Sequence, residues 1–189
     1  MKIYNLIEDS KIYTSNVFLV LGDWNTIDDV NTLIDVGSDL QIINKIENFH
    51  TGLGKNKINK VILTHSHSDH AALIPEIKKA FNPKIYAFNS HLKGVDFQIK
   101  DADVLRIADR DFEVFHITSH SHDSVCLYCE QDGVLFAGDT NFPIEFENPM
   151  LEAENSYIIS RLIGKPVRFV YNGHGPIQDY TNKKFKLSK

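Results

Sequence analysis

Residues 64–70 read Thr-His-Ser-His-Ser-Asp-His, three histidines and an aspartate crowded directly behind the apolar run Lys60–Thr64 (KVILT). No other stretch limits the fold as tightly. Imidazoles and a carboxylate packed together repel once protonated and lose hydration when enclosed, so a fold that gathers them needs a divalent cation to offset both costs. The segment predicts a buried strand that delivers a ligand-rich loop from its carboxyl end. His65 and His67, two apart, project to one side of an extended loop, and Asp69 and His70 at a helix entrance face a second point. One loop can thus serve two metals.

Three more ligand-type residues arrive in the same context. His120 follows a predicted strand over Phe112–Thr118, Asp139 follows Gly133–Ala137, and His174 follows Val167–Tyr171. If those strands lie side by side, their carboxyl ends converge on the edge where α/β sheets place their sites. Glycines at 138, 173 and 175 let the backbone turn sharply there. The set of five of the nine histidines and two aspartates suffices for two metals if Asp139 bridges them.

The rest of the chain supplies the frame. Lys2–Ile7, Lys11–Thr14, Asn16–Leu21 and Asn31–Val36 read as strands of a meander, and Ser38 with Gln41 reads as a capping box. Ile42, Ile43, Ile46 and Phe49 then share one face of an amphipathic helix. A second helical pattern runs through Leu73, Ile77, Ala80 and Phe81 with Pro75 in its first turn. Lys84–Phe88 and Ser124–Glu130 are further strands, the latter paired with Gly133–Ala137, and Asn148-Pro149 opens a helix reaching Gly164. Strands that first meander and later alternate with helices predict a layered α/β domain. At 189 residues, residues 1–189 are expected to form a single domain.

Charge and cysteine usage narrow the partners. Lys plus Arg total 20 against 25 Asp plus Glu, a formal net charge of −5, which speaks against nucleic acid. Glu8 and Asp9 stand where a signal peptide would be apolar, and no run approaches membrane-spanning length. With only Cys126 and Cys129 there is no disulfide framework. A cytoplasmic protein with a small-molecule substrate, no membrane and no nucleic acid is expected. The two cysteines, three apart within a strand, point to opposite faces and act as small buried hydrophobes.

The ordered set His-x-His-x-Asp-His, His120, Asp139 in Gly-Asp-Thr, and His174 resembles the metallo-β-lactamase superfamily of metal-dependent hydrolases. Leu33-Ile34-Asp35-Val36-Gly37 resembles the family's early strand ending in Asp-x-Gly. Thr118-Ser119-His120, followed by Ser124, resembles its Thr-Pro-Gly-His-x-x-x-Ser element with Pro and Gly replaced. The resemblance implies a four-layered αβ/βα sandwich with metals in a cleft at one edge. It makes His65, His67 and His120 ligands of a first metal, Asp69, His70 and His174 ligands of a second, and Asp139 the bridge. The donors are all nitrogen and oxygen, so two divalent ions are expected, zinc first, with iron or manganese compatible.

A water held between two such cations loses a proton near neutral pH and can attack a carbonyl or phosphoryl centre. Asp69 is the candidate catalytic residue, placed to orient that nucleophile or pass a proton to the leaving group. Asp35 is a candidate to orient a ligand imidazole through its other ring nitrogen. His122 competes with His120 in spacing, but register with Ser124 favours His120. His50, His91 and His116 read as ordinary strand or surface histidines. Trp24, Phe142 and Phe146 are candidate apolar contacts at the cleft.

Departures from individual subfamilies shape the expected activity. Asp139 stands where one lactamase subclass carries cysteine, and that subclass lacks the counterpart of His70, so antibiotic hydrolysis is disfavoured. Nuclease members usually add a domain or arm to grip nucleic acid, and glyoxalase II thioesterases add a helical glutathione-binding domain, whereas only Gly175–Lys189 follow His174. A glyoxalase II-like hydrolase of a thioester, lactone or other activated ester is the leading expectation. Its alternatives are a mononuclear-iron persulfide dioxygenase and a metal-binding protein without turnover.

Overall fold

The structure is a computed structural model that describes residues 1–142, 156–158 and 160–181. Strands β1 (Lys2–Asn5), β2 (Phe18–Leu21), β3 (Thr32–Ile34), β4 (Lys60–Ile62), β5 (Lys84–Ala87) and β6 (Phe97–Gln98) form one sheet in that order. Strands β7 (Val104–Ile107), β8 (Arg110–His116), β9 (Val125–Cys129), β10 (Val134–Gly138), β11 (Phe169–Asn172) and β12 (Gln178–Asp179) form a second, ordered β12-β11-β10-β9-β8-β7. Both sheets are mixed: β3 to β6 run parallel, as do β10 and β11, and the other pairs are antiparallel.

Alternation along the strands builds the layers. In β2, Leu19 and Leu21 point outward, onto α1 (Gln41–Asn48) and α3 (Ile74–Phe81), where they meet Ile42, Ile46 and Ile77. Phe18 and Val20 point the other way and join Phe112, Val114, Leu127 and Phe136 between the sheets. The outer face of the second sheet packs Phe115, Tyr128 and Leu135 against Ile158 and Leu162, within the helical residues 156–158 and 160–162. Helix, sheet, sheet and helix are the four layers expected. Burying each core Ile or Leu contributes about 1.5–3 kcal/mol. Cys126 lies on the outer face of β9 and Cys129 on its inner face, both buried and free, as the strand reading required.

Several local expectations are corrected. Lys11–Thr14 is not a strand. Ser10 Oγ is hydrogen-bonded to the N–H and C=O of Ile12, and Thr14 Oγ1 accepts from the Ser38 N–H, so side chains have taken the place of a ladder. The capping box does not form, because Ser38 Oγ donates to the Tyr13 carbonyl at 2.8 Å; Asp39 Oδ1 instead accepts from the Gln41 N–H at 3.0 Å. The helical pattern after the histidine run is split into α2 (Ser68–Ala71) and α3 at Leu73, whose ψ of 15° leaves the helix. Pro75 does fall in the first turn of α3. β6, β7 and β12 are strands that sequence patterning missed, and the predicted helix start at Asn148-Pro149 lies outside the described residues. Among the described residues no helix is long and apolar enough to cross a membrane.

Candidate metal centre

Strand direction accounts for the site. β3 and β4 are parallel, so Asp35 and the loop carrying His65, His67, Asp69 and His70 leave the same edge of the first sheet. β8 and β10 both pair antiparallel with β9 and therefore share a direction, which β11 copies by pairing parallel with β10. His120, Asp139 and His174 thus leave the matching edge of the second sheet, and the two edges meet.

Three overlapping groups of donor atoms result: His65, His67 and His120; His65, His70 and Asp139; and Asp69, His70 and His174, each within 4.8 Å of one another. His120 Nε2 is 3.0 Å from His67 Nδ1, and His174 Nε2 is 3.0 Å from Asp69 Oδ2. Asp139 stands between them, with Oδ1 3.2 Å from His70 Nε2 and Oδ2 3.5 Å from His120 Nε2 and 3.6 Å from His174 Nε2. All seven sequence-derived candidates are therefore brought together. His122 is exposed and turned away, its carbonyl accepting from His116 Nε2 at 2.8 Å.

Behind the ligand atoms lies a buried carboxylate. Asp35 adopts φ 60°, a left-handed conformation costly for a residue other than glycine. There its Oδ2 sits 2.8 Å from His70 Nδ1 and accepts from Thr64 Oγ1 at 2.8 Å, and its Oδ1 accepts from the Thr64 N–H at 2.7 Å. With Nδ1 donating to Asp35, the ring is oriented so that Nε2 faces the cluster and offers its lone pair to a cation once its proton is displaced. Gly173 solves a problem of space: a Cβ there would collide with Asp139 Oδ1 and stand 2.7 Å from His70 Cε1.

Electrostatics without a cation are lopsided. Burial works against a charged His70, but the Asp35 and Asp139 carboxylates outweigh it and hold the imidazole up at about 10. Burial, helped by neighbouring His70, pushes His65 down to about 4. Burial also opposes charge on Asp139, yet His70 wins and draws that carboxyl down to about 2. Burial lowers His120 as well.

The residues fit divalent metal. His65 Nε2, His70 Nε2, Asp139 Oδ1 and His174 Nε2 are buried yet have no hydrogen-bond partner, and all four belong to the donor groups above. Unpartnered buried polar atoms are costly. Spread over the overlapping groups above, they form a nitrogen-and-oxygen donor set that suits Zn²⁺, Fe or Mn.

The cluster opens into a cavity of about 410 Å³ bordered by His120, Asp139, Asn141, Phe142, His174 and Gln178. Phe142 therefore borders the site, whereas Phe146 lies outside the described residues. Trp24 does not border it. β2 runs antiparallel to β3, so the turn after Leu21 is at the edge opposite Asp35, and Trp24 stands exposed there. Sequence reasoning missed Tyr13, whose ring stacks on His174 at 5.3 Å between centroids and 18° between planes. It also missed Thr64, whose Oγ1 is 3.2 Å from His65 Nδ1. Thr64 directly precedes the histidine run, a signal that was available; Tyr13 was assigned to a strand that does not form.

Known proteins resemble this chain in sequence and fold. Hydroxyacylglutathione hydrolase of Francisella tularensis is 33% identical over 102 residues, 52% of this chain and 40% of the relative. The corresponding protein of Rhodopseudomonas palustris is 31% identical over 91 residues, 47% of this chain and 36% of its own length. The chain thus matches well under half the length of these curated relatives. Among solved structures, ETHE1 from Myxococcus xanthus superposes with a TM-score of 0.72 at 17% identity, covering 98% of this chain and 82% of that one. The BLEG-1 B3 metallo-β-lactamase gives 0.66 at 23% identity, covering 89% and 90%. The family model described as the metallo-beta-lactamase superfamily matches residues 12–93 and 87–180. That match takes in every strand but β1 and every residue of the candidate ligand cluster, and the chain belongs to the metallo-β-lactamase superfamily.

Proposed function

We propose that this chain is a metal-dependent hydrolase of a small activated acyl substrate: a thioester, lactone or other activated ester. The observation that carries the reading is the three overlapping groups of donor atoms, several of them buried, beside an open cavity. Hydrolysis of an acyl group also agrees with the similarity to hydroxyacylglutathione hydrolases over about half of this chain. His65, His67 and His120 would hold one divalent cation and Asp69, His70 and His174 a second, zinc being the leading choice. Asp139 would serve both, because its two oxygens face His70 on one side and His120 and His174 on the other.

When bound, such cations supply a water-derived nucleophile near neutral pH and polarise the scissile group. The side chains do the remaining work. Asp69, partly exposed with Oδ2 beside His174, is positioned to take a proton from the attacking water and return it to the leaving group. Asp35 fixes the His70 ring through Nδ1, and Thr64 ties that carboxylate to the base of the histidine loop. The cavity beside Asp139 accommodates the substrate, and Phe142 forms an apolar part of its wall.

The deciding experiment pairs elemental analysis of untagged protein with a panel of thioesters, lactones and phosphodiesters. Two metals per chain and acyl hydrolysis are expected, and Asp139→Ala is expected to lose at least one metal and the activity. One iron per chain with oxygen consumption on a persulfide would replace this reading with a dioxygenase. Unchanged metal content in Asp139→Ala would remove the shared role of Asp139.

A further inference from the structure

His116 reads in the sequence as an ordinary strand histidine, yet its ring is engaged on two sides at the edge where the sheets meet. It closes β8 and pairs with Val125 of β9, so the loop 117–124 that carries His120 starts from it. Its Nε2 lies 2.8 Å from the His122 carbonyl oxygen. A carbonyl only accepts, so Nε2 carries a hydrogen and donates it. The ring also lies nearly parallel to that of Phe88, with 3.8 Å between centroids and 8° between planes. Phe88 directly follows β5 of the first sheet and packs against the core between the sheets, so this stack reaches from one sheet to the other. The His116 N–H donates to Asp101 Oδ1 at 2.9 Å, which fixes the backbone from which the ring projects.

His120 depends on such a support. Its ring meets His65, His67 and Asp139, which are themselves candidate donors for a cation. Its place in the first group therefore comes from the backbone of its loop. The Ile117 N–H closes that loop at its base by donating to the Ser124 carbonyl at 2.9 Å, and the buried Asp123 accepts from Ser121 Oγ at 2.8 Å within it. His116 adds a tie two residues past His120, on the side of the loop where His122 is exposed. A loop already held in its binding geometry loses less conformational entropy when a cation arrives.

We propose that His116 is a positioning residue for His120: by bonding the His122 carbonyl and stacking on Phe88, it holds the loop 117–124 where His120 completes the first donor group. The proposal rests on the reading above that His120 and His174 serve different cations, and it is tested by binding, without turnover. Competition between stripped protein and a chromophoric chelator for Zn²⁺ is expected to show two steps. His67→Ala and His174→Ala, each removing a donor from one group, assign them. His116→Phe keeps a ring against Phe88 and removes the donor; it is expected to weaken the His67-dependent step about tenfold and to leave the His174-dependent step within about twofold. His116→Gln can still donate to the His122 carbonyl and is expected to keep both steps. Phe88→Leu loosens the stack and keeps the hydrogen bond, and is expected to weaken the same step by a smaller factor.

An equal weakening of both steps in His116→Phe, as a general loosening of the fold would give, overturns the proposal. So does an unchanged His67-dependent step, a loss in His116→Gln equal to that in His116→Phe, or a single step that survives His67→Ala. If His116→Phe does not fold, Phe88→Leu decides on the same step. The expected split between the steps without hydrolysis of any acyl substrate upholds the role of His116 and removes the hydrolase reading. Acyl hydrolysis by a protein whose Zn²⁺ steps ignore His116 does the reverse, and no Zn²⁺ bound by the unsubstituted protein overturns both.

Discussion

At the scale of single residues the candidate ligands were legible because their chemistry is conspicuous. Three imidazoles and a carboxylate in one short loop have no inexpensive alternative use, and the sequence order of the remaining three completes the set. What makes the cluster possible was less legible, since it is an absence. In the sequence Gly173 reads only as a place for a sharp backbone turn, whereas in the structure its missing side chain is the space in which Asp139 and His70 approach. Gly173→Ala is expected to force Asp139 aside while leaving both sheets folded, because residue 173 lies beyond β11 in a loop. Elemental analysis should show at least one metal lost per chain, and hydrolysis should fall by about a hundredfold, as for a roughly 1 Å displacement of reacting groups. Unaltered metal content with a native circular dichroism spectrum would mean that the loop relaxes and that Gly173 is not required. Tyr13 was illegible for a different reason: its position depends on side-chain hydrogen bonds from Ser38, 25 residues away in sequence.

At the scale of elements, hydrophobic alternation located the central strands, and local polar chemistry decided the exceptions. The segment over Lys11–Thr14 has the composition of a strand but resolves into a loop through Ser10, Thr14 and Ser38. β6 and β12, two residues each, are too short to leave a pattern. The element junction that matters most is the one joining β3, β4 and α2 through Asp35. Its carboxylate meets three donor groups: the Thr64 N–H, the Thr64 hydroxyl and His70 Nδ1. Asp35→Asn keeps the shape but replaces one accepting oxygen with an NH₂, so at least one of those donors faces another donor. An unsatisfied buried group of this kind costs about 1–3 kcal/mol, and loss of a carboxylate behind a ligand imidazole typically weakens metal affinity about 10–100-fold. Competition against a chromophoric chelator measures the second effect and chemical denaturation of the stripped protein the first. Affinity equal to that of the unsubstituted protein would show that His70 is oriented without Asp35.

At the scale of the whole molecule, the layered α/β architecture was readable, but the meeting of the two sheets at one edge was only conditional, because sequence does not state which strands are neighbours. That meeting would link the binding of a cation to folding, since each donor group draws on both sheets. The pH dependence has a definite sign. His70 is held up at about 10 in the metal-free protein, so its proton adds stability that is fully present below the unfolded value near 6.5 and lost as pH rises through about 10. A cation must displace that proton, whereas His65, held down at about 4, has none to lose at neutral pH. Each pH unit below about 10 therefore costs the cation one tenfold step in affinity through His70. Between pH 6 and 8 the stabilisation by saturating metal is expected to grow by about 2.7 kcal/mol, or roughly 5–11 °C in Tm for a chain of this size. Thermal melts of metal-loaded and chelator-stripped protein across that range measure the gap directly. A gap that narrows as pH rises from 6 to 8 would contradict a proton held on His70, and with it the role of Asp35 and Asp139 in holding it there.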